Sequence, residues 1–74
     1  MKKEDALRHI LIDAHVTQAG LARRMGMNRS TLSMRIIRED ISLENLNEIL
    51  RALDYKLIVV PAKTKTPVGG YDID

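Results

Sequence analysis

Five arginines, Arg23, Arg24, Arg29, Arg35 and Arg38, fall within residues 23–38, and no acid falls among them. A guanidinium group stays charged at any physiological pH and forks its donors toward paired oxygens. The group therefore suits an anionic partner such as a phosphate backbone. A merely solvated face would use the same residues, and charge alone does not choose between the two. The 74-residue chain has a net charge of only +2 because its halves differ. Residues 1–38 hold eight Lys or Arg against three acids, and residues 39–74 hold four against seven.

Catalytic chemistry is poorly supplied. There is no Cys, which removes thiol nucleophiles, thiolate metal ligands and disulfides, and fits a reducing compartment. His9 and His15 are six apart rather than i, i+4, and no third His completes a metal site. Ser30, Thr31 and Ser33 lack partners for a triad, and no glycine-rich phosphate loop is present. Asn28-Arg29-Ser30 matches a glycosylation sequon, which means nothing without secretion. Neither an enzyme nor a metal or cofactor site is expected. Single-stranded nucleic acid is disfavoured too, because stacking platforms need aromatic rings and only Tyr55 and Tyr71 are available.

The elements that must carry these side chains are helical. Leu7, Ile10, Leu11 and Ala14 recur at i, i+3, i+4, i+7 and predict an amphipathic helix over about 4–15. Thr17 is a suitable N-cap for a second helix, about 18–25, with Ala19, Leu21, Ala22 and Met25 packing. Gly26 follows where a left-handed residue ends a helix, and Asn28 can cap a third helix over about 29–37. The loop Arg38-Glu39-Asp40-Ile41 leads to Ser42, the expected cap of a fourth helix over about 43–54. Leu43, Leu46, Ile49, Leu50 and Leu53 form its apolar face. The interval Gly26-Met27-Asn28 between the second and third helices has the length of a helix-turn-helix.

Thr17 to Arg35 resembles the helix-turn-helix of lambdoid phage repressors and Cro proteins, the Cro/cI-type (Xre) group, over about residues 4–54. Gln18 opens the first motif helix, Ala22 is the small residue at the crossing, Gly26 makes the turn and Leu32 anchors the second helix. The resemblance implies a mainly α, four-helix, lambda-repressor-like domain that sets its third helix, 28–37, in the major groove. On that basis Arg29, Ser30, Ser33 and Met34 are the expected base contacts, with Arg29 suited to guanine O6 and N7 together. Gln18 and Asn28, at helix starts, and Arg23, Arg24, Arg35 and Arg38 are the expected phosphate contacts. Two departures stand out. Gly20 replaces a longer residue, and Arg35 stands where an apolar one is usual, so that Ile36 must anchor the helix.

Tyr55-Lys56-Leu57-Ile58-Val59-Val60, stopped by Pro61, reads as one strand. A lone strand leaves its backbone groups unpaired, and a chain this short needs help from outside its own core. Pairing across a two-fold axis meets both needs, which makes 55–61 the expected dimerisation element through Tyr55, Leu57, Ile58, Val59 and Val60. Helix four followed by one strand also resembles the HipB-like antitoxins. That implies an alternative role, in which the chain binds a protein toxin and regulates its own operon. Residues 62–74 show no periodicity, carry Pro67 and Gly69-Gly70, and read as a flexible tail. Met1-Lys2-Lys3-Glu4-Asp5 leads into no apolar run, and Leu57–Val60 is too short to span a membrane. The expectation is a cytoplasmic homodimeric repressor of double-stranded DNA operators.

Overall fold

Four helices order the chain: α1 (Lys3–Asp13), α2 (Gln18–Arg24), α3 (Arg29–Ile37) and α4 (Leu43–Ala52). They are seen in a computed structural model that describes residues 1–38 and 41–73. Glu39 and Asp40 of the expected loop, and Asp74 of the expected tail, lie outside the described residues. The mainly α, four-helix expectation holds, with each boundary within two residues of the sequence-based one.

Three helices begin as their caps dictate. The side chains of Thr17, Asn28 and Ser42 accept from the backbone N–H of Gly20 at 3.0 Å, Thr31 at 2.8 Å and Asn45 at 3.1 Å. Each satisfies a donor that the first helical turn leaves without a partner, an interaction worth about 1 kcal/mol.

Three helices also end alike. His15, Gly26 and Asp54 follow the last residues of α1, α2 and α4 with φ of 55°, 69° and 62°. At each end the next amide bonds back across the turn: Val16 to Leu11, Met27 to Ala22 and Tyr55 to Leu50, at 2.8–3.0 Å. The left-handed residues themselves donate to Ile12, Arg23 and Arg51. These are Schellman endings, and each delivers an apolar residue to the core. Val16, Met27 and Tyr55 all pack there, partly buried.

The core is aliphatic throughout. Leu7, Ile10 and Leu11 of α1 meet Leu21 and Ala22 of α2, Leu32 and Ile36 of α3, and Leu46, Ile49, Leu50 and Leu53 of the α4 region. No polar or charged residue is buried among the described residues. Two expected packing residues face outward instead. Ala19 lies about 200° around α2 from Leu21, on the opposite side. Leu43 shares the α4 stripe but is its first residue, 76% exposed, beyond the reach of the described neighbours.

Residues 55–60, expected as a strand, form no strand in the single chain. A strand exists only against a partner, and one copy offers none. Tyr55 is held on the core, whereas Leu57 to Val60 are exposed, Val59 fully. The described part of the tail does not hang clear of the helices. Turns at Pro61–Thr64 and Pro67–Gly70 fold it back toward α1. There the Tyr71 ring packs on the core and stacks on His9 at 6.4 Å between centroids. Its hydroxyl donates to Asp13 Oδ2, and the amino terminus of Met1 donates to the Asp72 carbonyl at 3.0 Å.

The helix endings give a pair of opposite expectations. A Cβ at Gly26 would meet no atom within 4 Å, so only its left-handed φ demands glycine. Gly26→Ala should lose about 1–2 kcal/mol of stability. Asp54→Gly should gain roughly 0.5–1 kcal/mol, since it relieves the same backbone cost and removes an acid from the negative end of α4. Urea unfolding of both variants checks the sign; equal effects would dissociate stability from backbone conformation.

Candidate nucleic-acid interface

The rotation of α3 about its axis decides what it can present. Leu32 and Ile36 are fully buried, which fixes one side of the helix against the core. At about 100° per residue, Ser30, Met34 and Ile37 then lie on the opposite side. Met34 is 60% and Ile37 55% exposed, and Ser30 is exposed as well. Ser33 and Arg35 fall on the two flanks and are half-buried. Ile36 thus takes the anchoring role that Arg35 cannot, as the departure from the usual pattern requires.

Ser33 is committed to its own fold. Its hydroxyl donates to Gln18 Oε1 at 2.8 Å, joining the first residue of α2 to the second turn of α3. The bond uses Gln18 Oε1 as acceptor, so the donors of the Gln18 side chain, on its amide nitrogen, are not spent on Ser33. Gln18 and Ser33 are therefore a linked pair that ties the start of α2 to α3.

Arg29 and Ser30 occupy the first turn of α3 and are exposed, next to the Asn28 cap. Asn28 Oδ1 is taken by the Thr31 N–H, so Asn28 contributes by organising the helix end rather than by offering an unused acceptor. The N–H groups of Arg29 and Ser30 have no acceptor within the helix, and the helix dipole makes that end positive.

The carboxylates are distributed to match. The first turns of α2 and α3 contain no acid, whereas α1 starts with Glu4 and Asp5 and α4 carries Glu44. No Asp or Glu occurs anywhere from Ala14 to Arg38. Arg23, Arg29 and Arg38 are exposed and Arg35 half so. Arg23, Arg29 and Arg35 thus belong to a helix-turn-helix segment that itself contains no carboxylate side chain.

Arg24 departs from this group. Its guanidinium donates to the Ala52 carbonyl at 3.2 Å, capping the C-terminus of α4. A cation there complements the helix dipole and satisfies a terminal carbonyl, a structural task. The expected dimerisation residues also separate: Tyr55 belongs to the core, while Leu57, Ile58, Val59 and Val60 stay exposed.

Two exposed α3 residues were not among the expected contacts. Thr31 lies on the first turn, and Ile37 lies i+3 from Met34 and i+7 from Ser30, a spacing visible in the sequence. Among the described residues, no group of three or more His, Asp or Glu is placed to hold a metal ion. Also among the described residues, no helix is long and apolar enough to cross a membrane.

The family model described as Cro/C1-type HTH DNA-binding domain matches residues 6–57, well over half of the chain. No curated protein and no solved structure matches it.

The Gln18–Ser33 bond makes a direct prediction. Ser33→Ala and Gln18→Ala should each lower stability by about 0.5–1.5 kcal/mol, and the double variant should lose less than their sum. A thermodynamic cycle from denaturant melts measures the coupling; strict additivity would mean that the two side chains act independently.

Proposed function

The chain belongs to the Cro/C1-type HTH DNA-binding domain family, and from that premise we propose that it is a sequence-specific, dimeric transcription repressor that sets α3 in the major groove of its operator. The observation that carries this is the exposed outward side of α3, which lies in a segment, Ala14 to Arg38, that contains no Asp or Glu. B-DNA's major groove admits a helix, and only an exposed, cationic helix gains from entering between two phosphate rows.

In this reading Arg29 reaches a guanine edge with two parallel hydrogen bonds, and Ser30 makes a short polar contact beside it. Gln18, oriented by Ser33, donates its amide to a phosphate oxygen at the start of α2. Arg23, Arg35 and Arg38 neutralise phosphates without regard to sequence. Asn28 keeps the positive end of α3 ordered toward the backbone it approaches. Arg24 steadies the helix pack from behind.

Dimerisation would come from Leu57 to Val60, which lie outside the core and expose backbone groups that a second copy can pair. Antiparallel pairing across a two-fold axis would set two α3 helices about 34 Å apart, one helical turn of DNA. A dimer seated over a promoter represses by occluding polymerase. The contacts on each half-site are then identical, and the operator is a pseudo-palindrome.

Selection from a random duplex pool should return such a palindrome, and retesting the winners across salt should give a steep negative slope. Arg29→Ala should flatten the base preference at one position while keeping residual binding. Arg35→Ala should weaken all sequences alike and shrink the salt slope by about one. An unselective pool would remove the operator reading. Val59 is fully exposed, so Val59→Asp should leave the helices intact and yield monomers by light scattering. A persistent dimer would assign the interface to another surface.

A further inference from the structure

We propose that α3 recognises a C5-methyl group on a pyrimidine, through Met34 with Ile37 beside it, given α3 as the major-groove helix proposed above. The outward strip of α3 runs Ser30, Met34, Ile37 at i, i+4, i+7. Leu32 and Ile36 are in the core, and the Ser33 hydroxyl is bonded to Gln18. Beyond Ser30, the middle of the strip therefore offers no hydrogen-bonding side chain. It offers two large apolar ones instead, 60% and 55% exposed.

The occupant must be apolar where it meets Met34 and anionic around it. Arg29 stands at the N-terminus of the same helix and Arg35 on the flank of the strip, and no acid lies between Ala14 and Arg38. A protein partner covering the strip would have to desolvate those guanidinium groups against its own surface, which is costly without matched acids. A DNA groove meets both demands, because phosphates lie on its rims and its floor carries one apolar group, the C5-methyl of thymine. The same methyl occurs on 5-methylcytosine. Methionine suits the contact, since its unbranched, polarizable side chain adapts to a small apolar bump. Ile37, one turn further on, closes the far side of that methyl to water.

The test uses the full chain and the best duplex from random selection. Each thymine of a half-site is replaced in turn by uracil, which keeps every hydrogen bond and lacks only the methyl. Each cytosine is separately replaced by 5-methylcytosine. Uracil at one or two positions should weaken wild-type binding about fourfold per methyl, the size expected for one buried methyl group. Met34→Ala, an exposed change that should melt like wild type, should show no discrimination at those positions. If the methyl is cytosine's, one methylation should tighten wild-type binding by a similar factor and leave Met34→Ala unmoved.

Indifference to every uracil and methylcytosine would overturn the proposal. If Arg29→Ala still shifts base preference in that case, the operator reading stands and only the methyl contact falls. A pool with no selected duplex overturns both. A change in oligomeric state for Met34→Ala, with uracil discrimination intact, also overturns it and assigns the strip to protein contact.

Discussion

The left-handed residue that ends three of the four helices is the constraint on which the remainder of the structure depends. At His15, Gly26 and Asp54 the chain reverses within two residues and returns an apolar side chain to the core it has just left. Helix ends are otherwise places where carbonyls are exposed and direction is loose. Here each one is satisfied and pinned, so the angle between successive helices is set by backbone geometry. Between α2 and α3 this matters most. Only Gly26, Met27 and Asn28 separate them, and Ala22 at the crossing has no bulk to push α3 away.

With its origin fixed, α3 needs only its rotation, and two different forces supply it. Leu32 and Ile36 contribute energy: each buried aliphatic side chain gives about 1.5–3 kcal/mol, and large-to-small changes there cost more. The Ser33–Gln18 hydrogen bond contributes direction, since its net value is only about 1 kcal/mol but its geometry is narrow. The helices run from 7 to 11 residues, too short to persist alone in water. Their stability therefore comes from packing, and the surface they present is only as well defined as the core beneath it.

Most of the fold was legible from the sequence because its signals are local. Thr17, Asn28 and Ser42 act across three residues, and the Leu7–Ile10–Leu11 stripe acts across one turn. Gly26 declared its turn by being glycine. His15 and Asp54 adopt the same conformation with side chains that merely tolerate it, and nothing in their identity announces that. Tyr71 was illegible for another reason, since its partner Asp13 is 58 residues away and no period links them. In the candidate site, the choice between Ser33 and Met34 as the outward residue turned on a few tens of degrees of helix rotation. Sequence fixes the order of residues around a helix, but only the packed core shows where that ring points. Arg24 shows the same limit: its charge was visible, and its hydrogen bond to the Ala52 carbonyl on another helix was not.

The exposed apolar residues of this protein make sense when taken by location. Met34 and Ile37 are exposed on α3, which also carries Arg29 and Arg35, and Leu57 to Val60 are exposed outside the core. Apolar side chains in water carry a continuing free-energy cost and invite aggregation, so a small domain does well to keep few of them together. On the proposed reading, Arg29 and Arg35 of α3 disfavour a second copy of the same face and favour an anion-lined groove. On the same reading the 57–60 segment, which holds no Lys or Arg, pairs its backbone with that of a second copy. On the proposed reading the two exposures are coupled. Self-pairing turns one weak helix-groove contact into two on a single duplex, and the second forms at the high effective concentration set by the first. A core too small to support a large recognition surface can then still achieve specificity, by repeating a small surface at the period of DNA.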